Sequence, residues 1–217
     1  MRTGALSFSE RERGDFRIDG DPVALHDARQ AFMRGRWTWL RQVHGARVVV
    51  VDTPGQHAGE EADAAVTRTS GAVLAVHTAD CVPVLFRGGG VVGAAHAGWR
   101  GLMAGVLGET LDAMEQLGAR RITAHVGPHI RANCYEFGED PLDRVAERYG
   151  DGVRSTTAAG TPALDLLATV RSALDERPEI DRVVVEGGCT ACEPDRFFSH
   201  RARGDRGRHA AAITVGP

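Results

Sequence analysis

The 217-residue chain is 42% hydrophobic and 25% charged, which excludes a disordered protein, a collagen-like fibre and a small disulfide scaffold. Its formal net charge of -3 offers no global basic field for nucleic acid or an anionic membrane. All 26 basic side chains are Arg, so no Schiff-base lysine and no P-loop lysine exists, and aldolase-type, pyridoxal-phosphate and Walker-type ATPase functions are excluded.

Residues 1–15 carry charges throughout and have no apolar core of the secretory kind. No run approaches about 18 apolar residues, the length that reads as a membrane span. The chain therefore reads as cytoplasmic, with its four Cys reduced. Its length suits a single domain over 1–217.

In chain order, residues 46–52 form a continuous β-branched run that reads as a buried strand. Residues 72–77, 82–86 and 91–96 read as a second cluster of strands, with Arg87-Gly88-Gly89-Gly90 as a hairpin turn. Residues 101–117 read as one helix, with Met103, Leu107, Leu111 and Met114 at helical spacing and Gly118 just past its end. Residues 122–126 read as a strand. Asp140-Pro141 reads as an N-cap followed by a first-turn Pro, in a helix stopped by Gly150. Thr161-Pro162 repeats that signal, with Leu164, Leu167 and Leu174 on one face and Pro178 as the stop. Residues 182–186 and 211–215 supply late strands. Strands and helices intermixed in this way predict a layered α/β or α+β fold.

Three candidate metal ligands fall at strand ends or in adjoining turns, where functional groups collect in α/β proteins. His44 precedes the first strand, Cys81 sits between two strands, and His96 sits between a strand and the long helix. One thiolate and two imidazoles suit Zn²⁺, and three protein ligands leave an open position for a water whose pKa falls to about 7. Two other readings stay open: a buried thiol with two hydrogen-bonded core histidines, which spacing alone favours, and a Cys81–His96 nucleophile–base pair.

Several motifs form an ordered series: Gln42-Val43-His44-Gly45, Glu61-Ala62-Asp63-Ala64, Thr78-Ala79-Asp80-Cys81-Val82-Pro83 and His96-Ala97-Gly98-Trp99-Arg100-Gly101. Gly127-Pro128-His129-Ile130, Cys134-Tyr135-Glu136, Cys189-Thr190 and Phe197-Phe198-Ser199 continue it. From about Trp39 to the C-terminus the series resembles the bacterial polyphenol oxidase/laccase-like family, also called peptidoglycan-editing factor. The resemblance implies a layered α/β/β/α fold, similar to the catalytic domain of cytotoxic necrotising toxins. It implies zinc held by His44, Cys81 and His96. It also implies phosphorolysis of adenosine, inosine, guanosine or methylthioadenosine, together with adenosine deamination by an activated water. The ligands match a multicopper oxidase poorly, since that needs many more histidines in paired motifs.

Phosphorolysis needs a cationic anchor for phosphate, and a guanidinium binds phosphate oxygens bidentately. Arg41, Arg100 and Arg208 are the candidates, Arg100 first because it sits at a helix N-terminus. Asp80 is a candidate to orient a ligand His or accept a proton, or else a turn residue. The role of Asp63 is open. His129 is a candidate pocket residue; Trp99 and Phe198 are candidates to stack a purine. His77 reads as a core or lining imidazole, Cys134 as a packed thiol near the pocket, and Cys192 of Cys189-Thr190-Ala191-Cys192 as incidental.

The chain departs from the family pattern over residues 1–38, a shortened segment, and at His200, where the family commonly has Tyr. Substrate range is the expectation most exposed to these changes. Two other functions compete: a hydrolase that removes a misincorporated amino acid from a nucleotide-linked muramyl precursor, and a non-catalytic binding protein. The expected partners are a purine nucleoside and phosphate, with no nucleic acid and no membrane; oligomeric state is open.

Overall fold

The computed structural model describes residues 4–216. In chain order it contains β1 (Leu6–Phe8), α1 (Pro22–Phe32), β2 (Arg36–Trp39), β3 (Val48–Val50), β4 (Ala64–Thr67), β5 (Ala72–Thr78), β6 (Val82–Gly88) and β7 (Val91–Ala97). There follow α2 (Trp99–Ala104), α3 (Val106–Gln116), β8 (Ile122–Val126), α4 (Glu139–Tyr149), β9 (Arg154–Thr156), β10 (Pro162–Leu164), α5 (Leu166–Asp175), β11 (Ile180–Val185), α6 (His200–Arg203) and β12 (His209–Thr214). None of the helices is long and apolar enough to cross a membrane.

The strands build a four-stranded sheet in the order β1-β12-β5-β2, a six-stranded sheet in the order β11-β8-β6-β7-β4-β3, and the small β10-β9 ribbon. The period-2 alternation of side chains sorts these sheets into layers. On β5, Leu74 and Val76 join a core with Leu85 of β6 and Val92 and Ala94 of β7, so the two sheets pack face to face. The alternate residues Val73 and Ala75 face the other way, onto Phe16, Leu25 of α1 and Trp37. On the far side of the larger sheet, Val84, Phe86, Ala95 and Val126 pack under Leu107 and Leu111 of α3 and Val170 of α5. The result is α/β/β/α, and it accounts for the apolar character of β5 and β7, which are buried at every residue.

Several elements differ from the sequence expectation. Strands β5, β6 and β7 do not form one cluster: β6 and β7 pair as the expected hairpin, but β5 belongs to the opposite sheet. The single helix over 101–117 is two helices, broken at Gly105, whose φ of 91° only Gly adopts freely. Asp140 is not the cap of its helix; α4 starts at Glu139 behind Gly138, although Gly150 does end it. Thr161-Pro162 does not start a helix either. Pro162 and Leu164 lie on β10, paired with β9, and α5 begins after Asp165, whose carboxylate accepts the Ala168 N–H at 2.9 Å. The buried face of α5 is Leu166, Thr169, Val170 and Leu174, and the helix closes at Asp175, before Pro178.

Candidate functional site

His44, Cys81 and His96 lie at neighbouring strand ends, and their ligand atoms all fall within 4.8 Å of one another. Cys81 Sγ is 3.9 Å from His44 Nε2, and the two imidazoles meet edge to face with centroids 4.8 Å apart. His96, near the end of β7, is buried, whereas His44 is open to solvent. One side of the group therefore faces outward.

Asp63 organises this group. Its carboxylate is fully buried and accepts four hydrogen bonds: Val43 N–H at 3.1 Å, His44 N–H at 2.9 Å, Gly45 N–H at 2.8 Å, and His96 Nδ1 at 2.8 Å. The three amides wrap the turn around the carboxylate and hold His44 at a positive φ of 61°, a conformation non-glycine residues seldom adopt. The bond to His96 Nδ1 fixes that ring and leaves Nε2 to face Cys81, the carboxylate–histidine arrangement that orients metal ligands. Gln42 fastens the adjoining strand end by exchanging two side-chain bonds with the His77 backbone, at 2.8 and 2.7 Å. Gly98 is needed for space, since a Cβ there would sit 2.9 Å from His44 Cδ2 and 3.0 Å from Cys81 Sγ.

The electrostatics suit ligation. Burial alone would push the Cys81 thiol up, but His96 and His44 outweigh it and hold it down at about 6. Burial would push the His96 imidazole down, but the Cys81 thiolate and Asp63 raise it to about 9. A thiolate and an imidazolium thus attract across the gap, and a divalent cation that displaces the imidazole proton satisfies both. The donor set, one thiolate and two imidazoles, fits a borderline-soft metal such as Zn²⁺ or copper.

The group opens into a cleft of about 640 Å³. Its walls include Arg17, Asp19, Asp80, Trp99, Arg100, Tyr135, Arg201, Arg206 and Arg208.

Residues 21–216 match the family model described as multi-copper polyphenol oxidoreductase laccase. The chain belongs to that family. A purine nucleoside phosphorylase of Mycobacterium tuberculosis H37Rv is 39% identical over 98% of this chain and 88% of its own length. One from Streptomyces coelicolor is 43% identical over 92% and 86%. A solved Neisseria meningitidis protein is 32% identical, covers 100% of this chain and 91% of its own, and superposes with a TM-score of 0.83. YlmD from Geobacillus stearothermophilus is 27% identical over 99% and 92%, with a TM-score of 0.81.

Within this laccase-family fold the other sequence candidates divide. Arg100 lines the cleft and lies over the Trp99 ring, 4.7 Å from its centroid, without a carboxylate partner among the described residues. Arg208 also lines it, though its Nη1 donates to the carbonyls of Asp205, Arg206 and Gly207. Arg41 is not in the wall; it turns outward to Glu61, 3.4 Å away. His129 is fully buried away from the cleft, with Nδ1 donating to the Gly127 carbonyl at 2.7 Å and Nε2 unpartnered among the described residues. Phe198 is also outside the wall, with the Arg11 guanidinium 4.2 Å from its ring centroid and the His209 ring tilted against it at 5.1 Å.

Asp80 is a cleft residue whose carboxylate is already engaged. Oδ1 accepts Thr190 Oγ1 at 2.7 Å and Ser199 Oγ at 2.6 Å, and Oδ2 accepts Arg201 N–H at 2.7 Å. It ties three segments together and does not touch His44 or His96; the carboxylate that does is Asp63. His77 and His200 line the cleft. The sequence does not single out Arg17, Ile18, Asp19, Tyr135, Arg201 or Arg206 as wall residues. Three of these lie in the divergent residues 1–38, a segment that the family resemblance places in the pocket wall without marking which residues line it.

Proposed function

We propose that the chain is a purine nucleoside phosphorylase that also deaminates adenosine, with His44, Cys81 and His96 holding zinc. One observation carries this reading: the His/Cys/His group opens into the same cleft as Arg17, Arg100, Arg201, Arg206 and Arg208, against only Asp19 and Asp80 as carboxylates among the described residues. Such a cationic cleft attracts an anion such as phosphate, and both oxygens of the Asp80 carboxylate are already taken up by three donors. The names of the relatives in Mycobacterium and Streptomyces support the phosphorylase part of this reading.

Zinc bound there would supply Lewis acidity and activate water near neutral pH. The chain's own residues do the positioning. Trp99, braced edge-on by Phe137 at 5.3 Å, offers aromatic surface for a flat base beside the Arg100 guanidinium that lies over one part of its ring. Arg100 is the phosphate anchor, because its guanidinium is the one least committed to protein acceptors. Phosphate oxygen forms the new bond at ribose C1′ as the bond to the base nitrogen breaks, giving ribose 1-phosphate and free base. Asp63 keeps His96 in one tautomer throughout.

The test is chromatography of adenosine and inosine incubated with the protein, with and without phosphate, beside Cys81→Ala. Phosphate-dependent release of adenine or hypoxanthine, lost in Cys81→Ala, supports the proposal. No release from any nucleoside, with release of an amino acid from a nucleotide-linked muramyl precursor, replaces it with the hydrolase function.

A further inference from the structure

Cysteines far apart in sequence form a second cluster, separate from the cleft group. The Sγ atoms of Cys134, Cys189 and Cys192 all lie within 4.8 Å of one another, and Cys134 Sγ is 3.0 Å from Cys192 Sγ. Cys134 closes the 3-10 turn Ala132–Cys134, while Cys189 and Cys192 flank a tight turn in the loop after β11. The two segments are held in register by backbone pairing of His129 with Cys189. Cys134 is a packed thiol, as the sequence suggests, but Cys192 is not incidental, because its sulfur touches that of Cys134.

We propose that these three thiols form a second metal site, for a thiophilic cation such as Zn²⁺ or Cu⁺. Several features of the cluster point to a ligand. A tetrahedral zinc with bonds of about 2.3 Å spaces its sulfurs by about 3.8 Å, within the span seen here once the Cys134–Cys192 pair opens slightly. The Cys-x-x-Cys spacing supplies two ligands from one turn, and Cys134 supplies the third from across the loop. Arg131 N–H donates to Cys189 Sγ at 3.4 Å, and Asn133 Nδ2 donates to Cys192 Sγ at 3.8 Å, as outer partners of ligating sulfurs do. Arg203 donates to the carbonyls of Thr190 and Ala191, both at 3.0 Å, and brings positive charge to the turn.

A bound divalent ion would displace the three thiol protons to solvent, and the site would carry a net charge near minus one. Cys192 is exposed, which leaves the fourth position to water. The ion would clamp the segment that carries Tyr135 to the segment that carries Thr190, the partner of Asp80. It would therefore act as a structural clasp behind one wall of the cleft.

The test is a Co²⁺ titration of reduced, chelator-stripped full-length protein, read by sulfur-to-cobalt charge transfer, with Zn²⁺ content measured in parallel. Cys81→Ala should still bind one equivalent, with a charge-transfer band of multi-thiolate intensity. Adding Cys192→Ser or Cys134→Ser should remove that equivalent; matching circular dichroism melts of the metal-free proteins would show that folding is retained. Because the readout is the equivalent lost with Cys192, it stands apart from failure of the cleft site. The proposal is overturned if Cys81→Ala binds no metal, or if Cys192→Ser leaves the number of bound ions unchanged. A Cys134–Cys192 disulfide in protein isolated anaerobically without reductant would also overturn it.

Discussion

Asp63→Asn removes one charge and almost no volume, so its effect measures the hydrogen bonds at the centre of the site. Oδ1 serves His44 N–H and His96 Nδ1, and Oδ2 serves Val43 N–H and Gly45 N–H. An amide has one accepting oxygen. Whichever way it is turned, its NH₂ faces two donors. Two buried donors then lose their acceptor, at about 1–3 kcal/mol each, so the metal-free protein should lose about 2–6 kcal/mol. At about 2–4 °C per kcal/mol for a chain of this size, Tm should fall by at least about 4 °C. The His96 ring also loses its anchor, and loss of such an outer partner weakens metal affinity by about 10–100-fold. A competition titration against a chromogenic chelator, with melts of the metal-free protein, gives both numbers. Unchanged affinity together with an unchanged Tm would refute the reasoning. It would mean that the turn and the ring hold their places without the carboxylate.

Gly98→Ala should abolish metal loading at the cleft while changing Tm of the metal-free protein little, because its backbone, φ -76° and ψ 161°, suits Ala and only the contacts with His44 and Cys81 object; metal content after dialysis checks this. Arg100→Ala should raise the KM for phosphate about tenfold or more, about 1.4 kcal/mol of lost charge-assisted binding, and leave the KM for nucleoside nearly unchanged. An equal rise in both would count against Arg100 as the phosphate anchor. Burial pushes His129 and His209 down to about 4 each. Their unfolded value is near 6.5, so the unfolded chain takes up protons first as pH falls. Stability from these rings is complete above about pH 6.5 and declines toward pH 4, by up to about 1.4 kcal/mol per pH unit for each ring. Urea midpoints should fall between pH 7 and 5, less steeply in His209→Gln; a flat profile would contradict the assignment.

The sequence revealed contiguous elements better than long-range arrangements. The β6–β7 hairpin was legible because apolar runs flank three successive glycines. The break at Gly105 was not, because Met103, Leu107, Leu111 and Met114 keep helical spacing through it. Thr161-Pro162 resembles a helix start, yet pairing with β9 makes it a strand, a tertiary contact that local pattern does not carry. His44, Cys81 and His96 could be picked out by motif, but the role of Asp63 depends on four donors that only the folded turn assembles. Arg41 and Arg100 look alike as neighbours of ligand motifs; a nearby Glu61 draws one outward and the Trp99 ring keeps the other over the cleft. The sulfur cluster joins Cys134 to a turn more than fifty residues later, so spacing showed only its Cys-x-x-Cys half.

The most direct test follows inorganic phosphate by phosphorus NMR while zinc-loaded protein acts on inosine, with Cys81→Ala in parallel. The account predicts loss of the phosphate signal and growth of a ribose 1-phosphate signal in step with hypoxanthine release, and neither in Cys81→Ala. Hypoxanthine release with phosphate unconsumed, or equal turnover by Cys81→Ala, would contradict it.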